Sequence, residues 1–355
     1  MTDVLRRRTG FEIELLAPVG SSRRVLAHEL ASRRGGRVRP VWHHDSEPSL
    51  VPGLGRFLHL TQGFEVLDGS DAVICTLVDD VTLVADLDPR SRPVDGWYRI
   101  LTDDPRLLRL LAVRIDPGAP IHESLDAVAA LWGVGVQRHA GVLRLDDAAG
   151  STIALAAPQG GERERGCEVI TPPLTGDHEQ RIDELLAVAR ELGFVVPVEA
   201  AVHVHHDGEP FRSAAAIANV VRLFGWWRPA LHAMLGTNQA CRRLAPLPAP
   251  LVEAAAGTPT YEGLRDAATS AGLTKFFDVN MTALFAENPA RNTLEVRILP
   301  GAIRTVSIVH GAALVEVLLD RCLDGTPIPR PPVDPDAALR ALRQMAGDRS
   351  ALLAE

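Results

Sequence analysis

The sequence predicts an α+β fold in which an antiparallel sheet is flanked by helices. Three observations predict it. Strand-like segments come first and are then mixed with helical ones, without the regular strand–helix–strand rhythm of a parallel sheet. No internal repeat is present, which sets aside solenoids and propellers. At 355 residues, 46% hydrophobic and 23% charged, the chain can bury a sizeable core as one large domain or two ordinary ones.

The elements follow in order. Phe11–Leu16 reads as a strand and Ser21–Arg34 as a helix. Between residues 38 and 160 the β-like stretches are Gly63–Leu67, Ala72–Leu77, Thr82–Ala85, Val134–Leu145 and Thr152–Ala157. Ser124–Leu131 reads as a helix, and Leu107–Ile115 fits either element. Glu168–Thr171 is a short strand stopped by Pro172 and Pro173, which cannot donate to a central ladder. Over Arg181–Leu192 the apolar residues Ile182, Leu185, Leu186 and Ala189 share one helical face, and Gly193 ends it. Val195–His206 returns as a strand, and Ser213–Met234 as a long apolar helix bent near Pro229. Tyr261–Ala271 is a helix, Phe276–Leu284 and Thr293–Leu299 are strands around a turn-rich Glu287–Asn292, and Ala302–Leu323 is a helix. Thr326–Pro335, with five prolines in ten residues, is a stiff connector to a terminal helix within Asp336–Glu355.

Composition excludes several classes. The net charge of −8 and the lack of a basic stripe speak against nucleic acid. Lys275 is the only lysine, which reflects codon bias rather than chemistry. Cys75, Cys167, Cys241 and Cys322 are widely spaced, so neither a disulfide scaffold nor a structural zinc site is expected. Met1–Gly10 is polar and Arg-rich with no apolar signal core, and no run of about 18 apolar residues exists. A cytoplasmic enzyme with reduced thiols, outside the membrane, is the expectation.

Four segments place polar residues two apart on strands, where side chains at i and i+2 share a face. They are Phe11-Glu12-Ile13-Glu14-Leu15, Glu162-Arg163-Glu164-Arg165-Gly166-Cys167-Glu168-Val169-Ile170, Val202-His203-Val204-His205-His206 and Thr293-Leu294-Glu295-Val296-Arg297-Ile298. Each has an ordinary structural explanation: a solvated sheet face, a surface patch, or a cross-strand ion pair of Glu295 with Arg297. Together they would crowd carboxylates and histidines on one face, which is costly without cations. Oxygen-rich sites with a histidine suit Mg²⁺ or Mn²⁺ rather than zinc. There is no Gly-rich phosphate loop followed by Lys-Ser/Thr, so a bound ATP would rely on metals and arginines for its phosphates.

The ordered set Phe-Glu-Ile-Glu, Cys-Glu-Val-Ile-Thr-Pro-Pro-Leu, Val-His-Val-His and Asn-Thr-Leu-Glu-Val-Arg-Ile-Leu-Pro-Gly resembles the putative amidoligase family, over about residues 11–310. That family is a distant relative of glutamine synthetase and glutamate–cysteine ligase. The resemblance implies a curved antiparallel sheet of the glutamine-synthetase catalytic type, holding Mg²⁺ against the phosphates of ATP. It implies metal-binding roles for Glu12, Glu14, Glu168, His203 and Glu295, with Glu162 or Glu164 as a further carboxylate. His205 would stand nearer the transferred phosphate, and Arg297 would face the carboxylate or acyl phosphate. The implied layout is a catalytic domain over 1–325, a connector over 326–335 and a helical tail over 336–355, with roughly 60–100 as a substrate-shaping insertion. The Asp-Gly-Ser turn usual in the family appears only in stretched form, Asp146-Asp147-Ala148-Ala149-Gly150-Ser151.

The implied reaction joins a carboxylate to an amine through an acyl phosphate, the partners being small-molecule or peptide substrates, with an oligomer compatible. The competing reading is a metal-dependent hydrolase built on His203-x-His205-x-Asp207, whose motif expects a histidine where Gly208 stands.

Overall fold

The computed structural model describes residues 4–49, 57–241, 243–287, 289 and 291–349. Among them the strands are β1 Thr9–Leu16, β2 Arg37–Ser49, β3 Phe57–Leu67, β4 Val73–Val78, β5 Tyr98–Thr102 and β6 Gln137–His139. They continue with β7 Val142–Asp146, β8 Thr152–Pro158, β9 Gly166–Ile170, β10 Ala201–Asp207, β11 Val279–Asn280 and β12 Thr293–Pro300. The paired strands run antiparallel, and helices accompany them, so the fold is α+β. No described helix is long and apolar enough to cross a membrane.

The chain forms two compact units: Met1–Glu14 with Thr171–Ala187 and Val198–Glu355, and Leu15–Ile170 with Val188–Pro197. In the first unit the strands lie in the order β11-β12-β10-β1. Alternation decides their two faces. Phe11 and Ile13 of β1, Val202 and Val204 of β10, and Leu294, Val296 and Ile298 of β12 are all 0% exposed. The helix Thr305–Leu323 approaches β12 closely because Gly311 has no side chain; a Cβ there would meet Leu299 Cδ2 at 3.0 Å. The helices Ala214–Trp226, Arg228–Leu235 and Pro335–Ala346 complete this layer.

One ion knot ties the start of this unit. Glu316, 0% exposed in the helix Thr305–Leu323, accepts the backbone N–H of Arg6 at 2.9 Å, that of Arg7 at 2.7 Å and Arg349 Nη1 at 3.1 Å. The Arg7 guanidinium binds Asp320 in the next turn at 2.5 Å.

In the second unit the order is β9-β4-β3-β5-β8-β7-β6, with β2 also paired to β3. Its core gathers Leu60, Tyr98, Ile100, Leu111, Leu125, Val128, Leu145 and Ala156 beneath the helices Pro105–Arg114 and Asp126–Trp132. A second set of buried groups centres on Arg23, in the first turn of the helix Arg23–Arg33. Its guanidinium donates to the carbonyls of Gln62 (3.0 Å), Arg163 (2.6 Å) and Gly166 (3.1 Å), and stacks 4.4 Å from the Trp97 ring centroid. Asp79 beside it accepts from Arg163 at 2.5 Å and from Gln159 at 3.1 Å. A side chain on Gly166 would displace the Asp79 carboxylate, since a Cβ would sit 2.6 Å from Asp79 Oδ1.

Several elements differ from the sequence expectation. Thr82–Ala85 forms no strand; Asp80 Oδ1 accepts the N–H and hydroxyl of Thr82 and turns the chain. Leu107–Ile115 resolves as helix, because Asp104 caps it and Pro105 opens it. Phe276–Leu284 keeps only Val279–Asn280 as strand and then turns into the helix Thr282–Phe285, with Asn280 Oδ1 receiving the N–H of Thr282. Val195–His206 is strand only from Ala201 onward. The long helix expected over Ser213–Met234 is two, meeting at Trp227 just before Pro229. β2 and the helix Ala249–Ala256 carry no clear sequence signal. The terminal helix spans Pro335–Ala346, and the expected extension to Glu355 runs into residues outside the described ones.

Candidate active site

The site is assembled in the first unit by three adjacent strands. Glu12 of β1 is the register partner of His203 on β10, and His205 of β10 that of Glu295 on β12. Register partners share a face, so the polar members of Glu-x-Glu, His-x-His and Glu-x-Arg meet while their apolar neighbours fill the core behind. Opposite His205 on β1 stands Gly10, which leaves room for the imidazole to lean toward Glu12. The β10–β12 register shifts between Val202 and Val204: Val202 pairs with Leu299, Val204 with Val296. Arg297 and Ile298 therefore face the single residue His203, a bulge of the kind that re-aims side chains.

The distances are short. His203 Nδ1 lies 3.1 Å from Glu12 Oε2 and 3.6 Å from Glu295 Oε1, and its Nε2 lies 3.4 Å from Glu14 Oε1. His205 Nε2 stands 3.1 Å from Glu12 Oε1 without the alignment of a hydrogen bond. Glu14 Oε2 accepts the Ala201 N–H at 2.8 Å. Arg297 Nη1 is paired with Glu295 Oε1, while its buried Nε has no hydrogen-bond partner among the described residues. The exposed Arg291 reaches within 4.0 Å of Glu12.

Burial and charge oppose each other here. Burial pushes the Glu12 carboxyl up, but His205 and His203 outweigh it and hold Glu12 well below the usual carboxylate range. Glu295 is likewise pushed up by burial and brought below its ordinary value by Arg297. The two histidines part company. Burial and Arg297 depress His203, whereas Glu12 raises His205 despite its burial. Arg297 sits above its ordinary value because Glu295 and Glu12 overcome its burial. One ligand atom each from Glu12, His205 and Glu295 lies within 4.8 Å of the others, a donor set of two carboxylates and an imidazole.

Six of the residues singled out in the sequence, Glu12, Glu14, His203, His205, Glu295 and Arg297, thus meet on one face of this unit. Glu168, Glu162 and Glu164 belong to the second unit. Glu168 sits on β9 opposite Val78 of β4. Glu162 stands at a positive φ of 57° in the turn before β9, its carboxylate taken up by the Asp88 N–H at 3.0 Å and Arg165 at 2.5 Å. Glu164 is buried, and its carbonyl accepts the Arg23 N–H at 3.1 Å. Asp207, the third member of the hydrolase-like motif, is exposed and caps its own turn by accepting the Glu209 N–H.

The sequence reading missed Asn280, whose Nδ2 donates to Glu295 Oε2 at 2.8 Å. The signal was present: Asp278-Val279-Asn280 has the same alternation as the other strands. Asp278 holds the other side of β12, its carbonyl accepting the Arg297 N–H at 3.0 Å while its carboxylate takes Arg228 and His232, each at 2.7 Å.

No curated protein matches the chain. A family model described as "putative amidoligase enzyme" matches residues 5–310, which takes in every strand above. The chain therefore belongs to this family of ligase-type, amide-bond-forming enzymes.

Proposed function

We propose that the protein is an ATP- and Mg²⁺-dependent carboxylate–amine ligase working through an acyl phosphate on a sheet of the glutamine-synthetase catalytic type. The observation that carries this reading is the buried face where Glu12, Glu14 and Glu295 meet His203, His205 and a single fixed cation, Arg297. His203, His205 and Arg297 hold Glu12 and Glu295 ionised despite their burial, so the face keeps anionic oxygens ready for a divalent ion. The donor set fits Mg²⁺ or Mn²⁺: hard oxygen ligands with one imidazole, and no thiolate. Glu12, His205 and Glu295 would hold an ion, with Glu14 and His203 as further ligands. A bound Mg²⁺ would neutralise charge on the phosphoryl group during transfer.

In the first step a substrate carboxylate oxygen attacks the γ-phosphorus of ATP, the bond to the β–γ bridging oxygen breaks, and ADP leaves. In the second an amine nitrogen attacks the acyl carbon, phosphate leaves with the acyl–oxygen bond, and the nitrogen gives up a proton. Arg297 serves both steps as a rigid fork of donors for phosphoryl and acyl oxygens. Its Nε, which has no hydrogen-bond partner among the described residues, supports that role over a purely structural ion pair. His205, leaning on Glu12, stands ready at the phosphate. Glu14 is anchored by the Ala201 N–H and keeps its second oxygen toward His203.

The test is ADP release from ATP with Mg²⁺ across a panel of acid–amine pairs. Release that requires both an acid and an amine, and that Glu295→Gln abolishes, is the expected result. Hydrolysis of a test ester or amide with Zn²⁺ and no ATP would replace this reading with the hydrolase.

A further inference from the structure

The Glu295 carboxylate is not free to turn. Its Oε2 accepts Asn280 Nδ2 at 2.8 Å, and its Oε1 faces Arg297 and lies 3.6 Å from His203 Nδ1. Asn280 is itself oriented from behind. Its Oδ1 accepts the Thr282 N–H at 3.1 Å and the Thr282 hydroxyl at 2.7 Å. With the amide oxygen committed to two donors, the NH₂ group must point at Glu295, so the amide orientation is fixed. Asn280 is also the register partner of Glu295 across β11 and β12, so its backbone cannot drift from it.

We propose that Asn280 is a positioning residue that sets the ion selectivity of the site, by reserving Oε2 of Glu295 so that Oε1, which also faces Arg297, is the one oxygen the carboxylate can offer a cation. This rests on the reading of the cluster as a divalent-ion site. The argument is one of coordination chemistry. Ca²⁺ accepts six to eight oxygens in loose geometry and takes carboxylates in the two-oxygen mode, whereas Mg²⁺ is smaller and demands a near-octahedral set. A carboxylate with one oxygen held by an amide is a one-oxygen ligand, which suits the smaller ion. The other glutamates are constrained in the same sense: Glu14 has Oε2 on the Ala201 N–H, and Glu12 divides its oxygens between His203 and His205. Of these restraints, the one on Glu295 comes from a neutral side chain that is not itself a candidate ligand, so it can be removed by substitution without removing a ligand.

The experiment is calorimetric titration of the wild-type protein, Asn280→Ala and Thr282→Val with MgCl₂ and, separately, CaCl₂, with a melting curve for each variant. The wild type should prefer Mg²⁺. Asn280→Ala should lower the ratio of Mg²⁺ to Ca²⁺ affinity by about tenfold, the lower end of the loss seen when partners of metal ligands are removed. Thr282→Val keeps the Asn280 side chain but loosens its orientation, and should move the ratio in the same direction by less. A merely structural role for Asn280 would lower the melting temperature and weaken both ions alike, leaving the ratio unchanged; that result overturns the proposal. If Asn280→Ala does not fold, an unchanged ratio in Thr282→Val overturns it equally. A wild type that binds neither ion would instead defeat the underlying reading of the site.

Discussion

The protein buries charge in two places, and the two are built on opposite plans. Around Arg23 the guanidinium is enclosed by three backbone carbonyls, an aromatic face and the Asp79–Arg163 pair. Burial still depresses Arg23 to about 10, but it remains charged at any physiological pH. On the face of β1, β10 and β12, three carboxylates crowd one fixed cation, an arginine nitrogen has no partner among the described residues, and two histidines two residues apart shift in opposite directions. Both clusters lie in interiors, so burial of charge alone does not mark a site. What separates them is composition. Around Arg23 backbone carbonyls do most of the enclosing, whereas on β1, β10 and β12 ionisable side chains face one another and shift each other's titration, the arrangement expected where a fold does chemistry.

The contrast can be broken experimentally. Arg23→Met should cost about 3–5 kcal/mol in urea unfolding, because it strands three carbonyls and leaves Asp79 less compensated. A loss below about 1 kcal/mol would mean the Arg23 cluster is no more a keystone than the other. Arg297→Lys keeps the charge but loses the planar fork. Turnover, read as ADP release, should fall about 10²-fold or more, as for loss of an oxyanion donor, with the melting temperature nearly unchanged. Near-normal turnover would return Arg297 to the role of a structural ion pair with Glu295 on its own strand. Glu12→Gln removes a charge from the crowded face. Because His203 and His205 hold this carboxylate ionised in the fold, the melting temperature should fall by about 2–4 °C, about 1 kcal/mol on the size scaling for large domains. The stabilisation by ATP with Mg²⁺ seen for the wild type should disappear in the same variant. A large drop in its melting temperature would show that the acidic face is part of the stabilising frame after all. The smallest effect concerns the thiols. Burial pushes Cys75 up to about 12, and it pushes Cys167 and Cys322 higher still. Native protein at pH 8 should therefore leave these three unmodified by iodoacetamide, with Cys241, which is less buried, reacting first. Rapid labelling of Cys75 or Cys167 would show that the second unit opens where its network appears closed.

How far the sequence disclosed this arrangement follows from the physics of strands. Glu12, Glu14, His203, His205, Glu295 and Arg297 were legible because a side-chain period of two survives in any antiparallel pairing. The apolar residues between them named the face that had to be core. Arg23 was illegible. It opens a helix, in a position that reads as solvated, and its carbonyl partners come from β3, the turn before β9 and the first residue of β9. Asn280 was hidden for a different reason. Its segment reads as a strand with the right alternation, but nothing local says that an amide belongs with the carboxylates and imidazoles until its partner β12 is in view. Thr82–Ala85 shows the converse error: β-branched residues promised a strand, and the Asp80 side chain, bonding to Thr82, won the local competition. The stretch from 60 to 100, which carries no motif, turns out to hold β4 and most of β3 and β5, with the Asp79 that steadies Arg23 and Arg163.

The knot at Glu316 has a further consequence, one of counting. It clasps the backbone of Arg6 and Arg7, and β1 begins two residues later. The distance in residues from Arg7 to Glu12 is thereby metered at both ends, by the clasp on one side and by the pairing of Glu12 with His203 on the other. A chain that gained or lost a single residue in between would satisfy one end only. If the clasp prevailed, Glu12 and Glu14 would turn into the apolar layer and Phe11 and Ile13 would take their places. Substitutions along this stretch change a side chain; an insertion of one would turn the strand inside out.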